Sequence, residues 1–148
     1  MDQVLTERKE WMGVLARAPA GRVSALTEGV GGADTLAFLR PPEIGSVMVR
    51  GRAGGAGAAF NLGEMTVTRC SVKLACGAVG HAYVQGRRKD DAARAALVDA
   101  LLQTDRAEEI RARVIDPLKA EEADRRRARS AKAAATKVEF FTMVRGED

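Results

Sequence analysis

Two alternating segments joined by a tight connection constrain this chain more than any other feature of its sequence. Residues 65–74 and 79–87 each alternate small apolar side chains with polar ones, and only the four residues ACGA lie between them. A period of two is typical of a strand with one buried face, and Gly77 supplies the positive φ that a tight turn requires. We therefore expect an antiparallel hairpin at the centre of the fold.

The register of this hairpin follows from the need to separate a polar face from an apolar face. Pairing Leu74 with Gly80 separates the two faces, whereas a shift by one residue mixes them. Residues 68, 70 and 72 then oppose residues 86, 84 and 82 on the apolar face. The polar face carries three opposed pairs: Lys73 and His81, Ser71 and Tyr83, and Arg69 and Gln85.

Two further apolar runs, at residues 34–40 and 44–50, are predicted to be separate strands. The residues between them include Pro41 and Pro42, which cannot donate ladder hydrogen bonds and therefore fit a connection better than a sheet interior. A short run at 59–62 and a turn at Gly63 lead into the central hairpin.

Helical patterns flank the strands on both sides. A first helix is expected from about Thr6 to Pro19, and a short second one ends near Val30. After the hairpin, Asp90 or Asp91 is expected to cap a third helix, and Asp116 to cap the last. These patterns predict a single α+β domain over residues 1–148, with an antiparallel sheet of about four strands and N-terminal and C-terminal helices packed on it.

Composition excludes several function classes. The 148 residues carry 24 basic and 20 acidic side chains, an excess that allows an anionic ligand but is too small to indicate nucleic acid. The N-terminus lacks a signal-peptide pattern and no apolar run is long enough to cross a membrane, so we expect a cytoplasmic protein. Cys70, Cys76 and His81 are too few to form a structural zinc site, and no metal is expected.

The stretch RGRAGGAGA at residues 50–58 resembles a phosphate-binding loop only in its glycine content. It lacks the Lys-Ser/Thr pair of a Walker A loop, and it leads toward a strand, whereas a dinucleotide-binding loop leads into a helix. The favoured interpretation is a flexible connection between strands. A backbone anion nest or a partner-contact loop is the alternative.

The polar hairpin face is the better candidate for binding an anion. Arginine suits the oxygens of phosphates and phosphonates; the alternative is a solvated sheet face. Because no acid accompanies His81, no catalytic residue is predicted. The basic run at 125–129 is interleaved with acids upstream and is interpreted as a solvated helix face. The anion-binding candidates on the polar hairpin face and just after it are Arg69, Gln85, Arg87 and Lys89.

Four stretches together resemble the PhnG family, a subunit of the bacterial carbon–phosphorus lyase system. They are EWMGVLA at 10–16, TVTRCSVKL at 66–74, GHAYVQGRRKDDAARAALVDALLQ at 80–103 and VEFFTMVRG at 138–146. No single stretch is a catalytic signature, so the resemblance rests on their combination and order.

The resemblance implies a subunit of a complex that degrades phosphonates. It implies PhnI, PhnH and PhnJ as partners in a core complex, and PhnL in the synthase step that displaces adenine from ATP with methylphosphonate. ATP is then a substrate of the complex, and this chain binds no cofactor. The chain would be structural or co-catalytic beside PhnI; a stand-alone anion- or nucleic-acid-binding module is the alternative, and self-association of the isolated chain stays open.

The C-terminal segment, residues 137–148, alternates like a strand but would be apolar on both faces. A segment of this kind must be covered, and the implied complex supplies a cover. The predicted partner contacts are Phe140, Phe141, Met143 and Val144.

Overall fold

A three-stranded antiparallel sheet with helices before and after it forms the protein, and the predicted α+β class is confirmed. The computed structural model describes residues 2–31 and 36–138. A turn of 3-10 helix, Ala53–Gly55, joins the first two strands, and one wider π turn, Arg111–Ile115, joins the last two helices. In chain order the elements are α1 (Asp2–Arg17), α2 (Arg22–Leu26), β1 (Leu36–Arg52), β2 (Ala59–Leu74), β3 (Val79–Gln85), α3 (Lys89–Leu101), α4 (Ala107–Ile110) and α5 (Asp116–Ala135).

Within the described residues the sheet has three strands, so the prediction of about four was wrong. The described part of the first run, residues 36–40, and the run at 44–50 both fall on β1, and residues 59–62 belong to β2. Pro41 and Pro42 lie in an irregularity of the ladder, where pairing passes from Arg40–Ser71 to Glu43–Arg69. Because β1 is an edge strand and the ladder is interrupted there, two residues without N–H groups are accommodated without ending the strand.

The central hairpin has the predicted faces but not the predicted register. Ser71 pairs with His81 and Lys73 with Val79, two residues away from the expected alignment. The loop is shorter than expected: the Gly77 N–H donates to the Leu74 carbonyl at 2.9 Å, and the φ of Gly77 is +93°. A shift by two residues leaves every side chain on its original face, which is why the burial pattern was nevertheless predicted correctly.

Helix boundaries differ from expectation at three places. Helix α1 begins at Asp2, four residues before the expected Thr6, and α2 ends at Leu26. Asp116 does not cap a new helix, because Ile115 before it already has helical φ and ψ of −72° and −46°. The chain therefore passes from α4 into α5 without a break.

Helix α3 covers the inner face of the sheet through small side chains. Ala92, Ala95, Ala96 and Ala100 are fully buried. A Cβ atom on Gly80 of β3 would lie 2.0 Å from the Ala96 carbonyl oxygen and 2.6 Å from the Ala100 nitrogen. The alanine-rich core is thus the consequence of a helix packed almost directly on a strand backbone.

A fully buried carboxylate, Asp99 on α3, joins three elements. Its oxygens accept hydrogen bonds from Arg8 (3.1 and 2.8 Å), from the Trp11 indole N–H (2.9 Å) and from the His81 backbone N–H (2.8 Å). Arg8 and Trp11 lie on α1 and His81 on β3. A buried charge is tolerated when it is paired and its lone pairs are satisfied, and this one is.

Asp91, two turns earlier on α3, fixes α2 in a similar way. It was expected to cap α3, but its carboxylate instead accepts from the Gly21 N–H at 2.8 Å and from the Ser24 hydroxyl at 2.8 Å. The cap position of α3 is occupied by Arg88, whose side chain makes no capping hydrogen bond to the helix. One helix therefore positions α1 and α2 with two carboxylates.

Two parts of the fold extend beyond this core. Strand β3 pairs only with residues 67–73 of β2, so residues 46–66 form a two-stranded projection, the hairpin arm. No residue of the arm is buried, and its exposed apolar side chains include Met48, Phe60 and Leu62. Helix α5 is the second projection: every residue from 123 to 135 is exposed. None of the described helices has the length and apolar character needed to cross a bilayer.

The close approach of α3 to β3 predicts the effect of a single methyl group. Gly80→Ala should lower the free energy of unfolding by about 1–3 kcal/mol, because the new Cβ overlaps backbone that cannot move freely. Gly63→Ala, in the arm, has open space around it and is the matched control, expected within about 0.5 kcal/mol of wild type. Urea denaturation measures both; equal values for the two variants would contradict the packing described here.

Candidate functional site

Arg69 lies at the middle of the polar sheet face and is already paired. Its Nε donates to the Glu43 carboxylate at 2.6 Å. This hydrogen bond and the charge of Glu43 raise the pKa of the Arg69 guanidinium above its ordinary value. Around it a shallow cleft, the polar-face cleft, is lined by Leu39, Arg40, Arg69, Ser71, His81 and Tyr83. An anion entering this cleft would compete with Glu43 for Arg69.

Among the described residues, the His81 ring has a hydroxyl neighbour and no carboxylate neighbour. The Ser71 Oγ lies 2.8 Å from His81 Nδ1. The buried Asp99 contacts the same residue, but it accepts from the backbone N–H and not from the ring. Within the described residues, Ser71, His81 and Asp99 therefore do not form a nucleophile–base–carboxylate relay.

The basic run Arg87-Arg88-Lys89 is divided between the surface and the interior. Arg88 turns inward and donates to the Ala18 carbonyl at 2.7 Å and the Gln85 carbonyl at 2.7 Å. Arg87 and Lys89 face outward into a second cleft beside Gly21, the α3-start cleft. Neither has a hydrogen-bonded partner in the described part of the chain, so both side chains have donors available.

Gln85 belongs to a third cleft, formed where the ends of α1 and β3 meet α5. We call it the arginine cleft; its lining residues are Arg17, Gln85, Glu122, Arg125, Arg126 and Arg129. The four anion-binding candidates are thus distributed over three clefts, and their binding role stays a prediction.

Sequence reasoning overlooked the arginine cleft because its residues lie far apart in the chain. The run at 125–129 was interpreted as a solvated helix face, and it is exposed. Arg125, Arg126 and Arg129 follow Glu122 by three, four and seven positions. This spacing places the four side chains on one side of α5. That spacing was the signal available in the sequence.

The glycine-rich stretch forms the turn at the tip of the hairpin arm. Gly54 and Gly55 have φ values of +60° and +78°, which non-glycine residues rarely adopt, and this explains their presence. The Arg52 guanidinium donates to the Gly57 carbonyl at 3.0 Å. The interpretation as a connection between strands is confirmed, and the alternatives concerning a ligand or partner stay predictions.

The predicted partner contacts Phe140, Phe141, Met143 and Val144 lie outside the described residues. The described chain ends with Lys137 and Val138, just beyond the last turn of α5.

The shape and charge of the described surface indicate a class of protein. The chain is a small α+β domain whose described surface offers basic clefts and an exposed apolar arm. In the described ranges, no cluster of three or more His, Cys, Asp or Glu side chains could hold a metal ion. These features are typical of an anion-binding or complex-forming subunit.

Comparison with known proteins identifies the family. The family model described as phosphonate metabolism protein PhnG matches residues 6–146. The chain is also 46% identical over 151 aligned positions to the alpha-D-ribose 1-methylphosphonate 5-triphosphate synthase subunit PhnG of Rhizobium meliloti (strain 1021), covering 99% of this chain and 94% of the relative. The chain belongs to the PhnG family, and the resemblance seen in the sequence is confirmed.

Ion pairs attach α5 to the N-terminal helices and make this attachment sensitive to acid. Arg22 donates to Glu121 at 2.7 Å and Arg17 to Glu122 at 2.8 Å. These hydrogen bonds outweigh partial burial and lower the pKa of both carboxyls below the ordinary value of 4.5. For groups with a lowered folded-state pKa, the stabilisation is fully present above 4.5 and is lost as pH falls through the folded-state pKa.

We therefore expect Glu121→Gln/Glu122→Gln to lose less stability than wild type when pH is lowered from about 6.5 to about 3.5. Urea denaturation at the two pH values measures this difference. Glu64→Gln/Glu108→Gln removes two exposed carboxylates without an ion pair to a described residue, and it should retain the acid sensitivity of wild type. If the first double variant also retains it, the two ion pairs are not its source.

Proposed function

We propose that this chain is a subunit of an alpha-D-ribose 1-methylphosphonate 5-triphosphate synthase, in which it assists the displacement of adenine from ATP by methylphosphonate. The observation that carries the proposal is its 46% identity, over 99% of its length, to a relative with that name. ATP is here a substrate of the complex, and the chain itself holds no resident cofactor.

The proposed reaction explains why a basic subunit would be useful. An oxygen of methylphosphonate forms a bond to C1′ of the ribose while the bond from C1′ to the adenine nitrogen breaks. Adenine leaves with the bonding electrons and takes up a proton. Because methylphosphonate and the triphosphate are both anions, guanidinium groups would bring them together by offsetting their repulsion.

We assign the catalytic groups to PhnI and a structural or co-catalytic role to this chain. The arrangement of His81, whose ring meets a serine while the nearby carboxylate binds its backbone, supports this division. PhnH and PhnJ would complete the core complex, and PhnL would join for the synthase step.

Exposed apolar surface supports the role of a subunit. Single exposed apolar residues are common, but the hairpin arm groups Met48, Phe60 and Leu62, which are 52%, 46% and 66% exposed. The C-terminal residues Phe140, Phe141, Met143 and Val144 remain the proposed partner contacts. Both segments would be covered in a complex; of the two, the hairpin arm is described, and its apolar side chains are exposed.

Reconstitution tests the proposed function. Adenine release from ATP and methylphosphonate should require this chain in addition to PhnI, PhnH and PhnL, and the isolated chain should release none. Activity that persists without this chain would refute the proposal. Oligonucleotide binding by the isolated chain that weakens steeply with salt would then favour the stand-alone binding module.

The anion-binding candidates have a separate test within the reconstituted complex. Arg69→Ala/Arg87→Ala should reduce adenine release at least about tenfold, a loss of about 1.4 kcal/mol in transition-state stabilisation, while the complex still assembles. The control Arg127→Ala/Lys132→Ala removes two exposed cations of α5 that line none of the three clefts. Activity of the first variant within about twofold of wild type, about 0.4 kcal/mol, would eliminate these residues.

A further inference from the structure

The arginine cleft is built from three elements and not from one helix face alone. Arg17 comes from the end of α1 and Gln85 from the end of β3, while α5 supplies the opposite wall. The cleft encloses about 310 Å³, within the size range of small-molecule sites. It therefore differs from an exposed basic stripe, which offers charge without a concave shape.

The spacing of residues on α5 directs its cations into this cleft. Arg125, Arg126 and Arg129 follow Glu122 by three, four and seven positions. Residues at this spacing lie along one side of an α-helix, so all three arginines line the same wall. Arg127, at a different helical position, pairs instead with Asp124 and is not part of the lining.

The charge of the cleft is strongly unbalanced. Among the described residues four guanidinium groups line it, and Glu122 is the only carboxylate. Glu122 is already engaged: it accepts from Arg17 Nε at 2.8 Å and Nη2 at 3.4 Å, and Arg126 lies 3.6 Å away. One acid thus orders Arg17 at the rim and leaves a clear excess of positive charge.

The remaining two arginines have donors to offer a ligand. Arg125 and Arg129 make neither a hydrogen bond nor an ion pair to any described residue. Each guanidinium carries five N–H donors in a planar fork, a geometry that matches two oxygens of a phosphate group. The Gln85 amide adds a neutral donor at the end of β3.

We propose that the arginine cleft binds the polyphosphate chain of a triphosphate, with Arg125 and Arg129 as the principal donors and Arg17 held at its rim. A row of three cations along one wall, with a fourth at the end of α1, suits a linear chain of several phosphates better than one isolated anion. This inference rests on the proposed function, since the product in the relative's name carries a 5-triphosphate.

The test uses the full-length chain and inorganic tripolyphosphate, which has the anionic chain without base or ribose. Calorimetric titration should show binding by wild type, weakened at least about tenfold in Arg125→Gln/Arg129→Gln, since charge-assisted hydrogen bonds are lost. The matched control, Arg127→Gln/Lys132→Gln, removes the same charge from exposed positions of the same helix outside the cleft. It should bind within about twofold of wild type.

Several outcomes would overturn the inference. They are no binding of tripolyphosphate by wild type at millimolar concentration, equal weakening in both double variants, and binding of a single-stranded oligonucleotide that tripolyphosphate does not displace. The second outcome would show a general electrostatic effect of α5, and the third a site for nucleic acid.

Adenine release by the reconstituted complex separates this inference from the proposed function. If the complex needs this chain but Arg125→Gln/Arg129→Gln binds tripolyphosphate like wild type, the cleft assignment is wrong and the synthase role remains. If binding depends on the cleft but adenine release does not need the chain, the synthase role is wrong, and the cleft remains a triphosphate site of unassigned use.

Discussion

The buried carboxylate of Asp99 is the interaction on which the arrangement of this domain depends. It accepts hydrogen bonds from a guanidinium and an indole of α1 and from a backbone N–H of β3. Helix α3 therefore positions both α1 and the edge of the sheet. Removing any one of these partners would leave a buried charge incompletely satisfied, which costs several kcal/mol. Asp91 binds the start of α2 in a similar way, and α3 thereby positions both N-terminal helices.

The basic clefts lie where this rigid core meets its more exposed parts. The end of α1, fixed through Arg8 and Trp11, carries Arg17 to the side of α5, and ion pairs complete the attachment. The arginine cleft combines this attachment with two long side chains, Arg125 and Arg129, that pair with no described residue. Such a combination would suit the anion-binding role proposed above.

The sequence predicted what local periodicity determines and missed what distant contacts determine. Alternation along the hairpin gave the correct faces, because an even or an odd position in a strand determines which face a side chain occupies. The predicted register was wrong by two residues, because the length of the loop depends on the turn around Gly77. Asp99 was not predicted, since an aspartate within a helix resembles a surface residue until its partner Arg8, 91 positions away, is known. The arginine cleft was missed for the same reason: Gln85 and Arg125 are neighbours only in the folded chain.

The hairpin arm has a consequence for how the protein opens. Its strands hold each other through backbone hydrogen bonds but bury no side chain, so little hydrophobic free energy opposes their separation. Amide protons in the arm should therefore exchange with solvent through local opening, while those of Gly80, Ala82 and Val84, which face β2 beneath α3, should exchange only when the whole domain unfolds. The amide protons of one chain would thus exchange at two distinct rates. A partner bound to the arm would be detected because it slows the faster exchange.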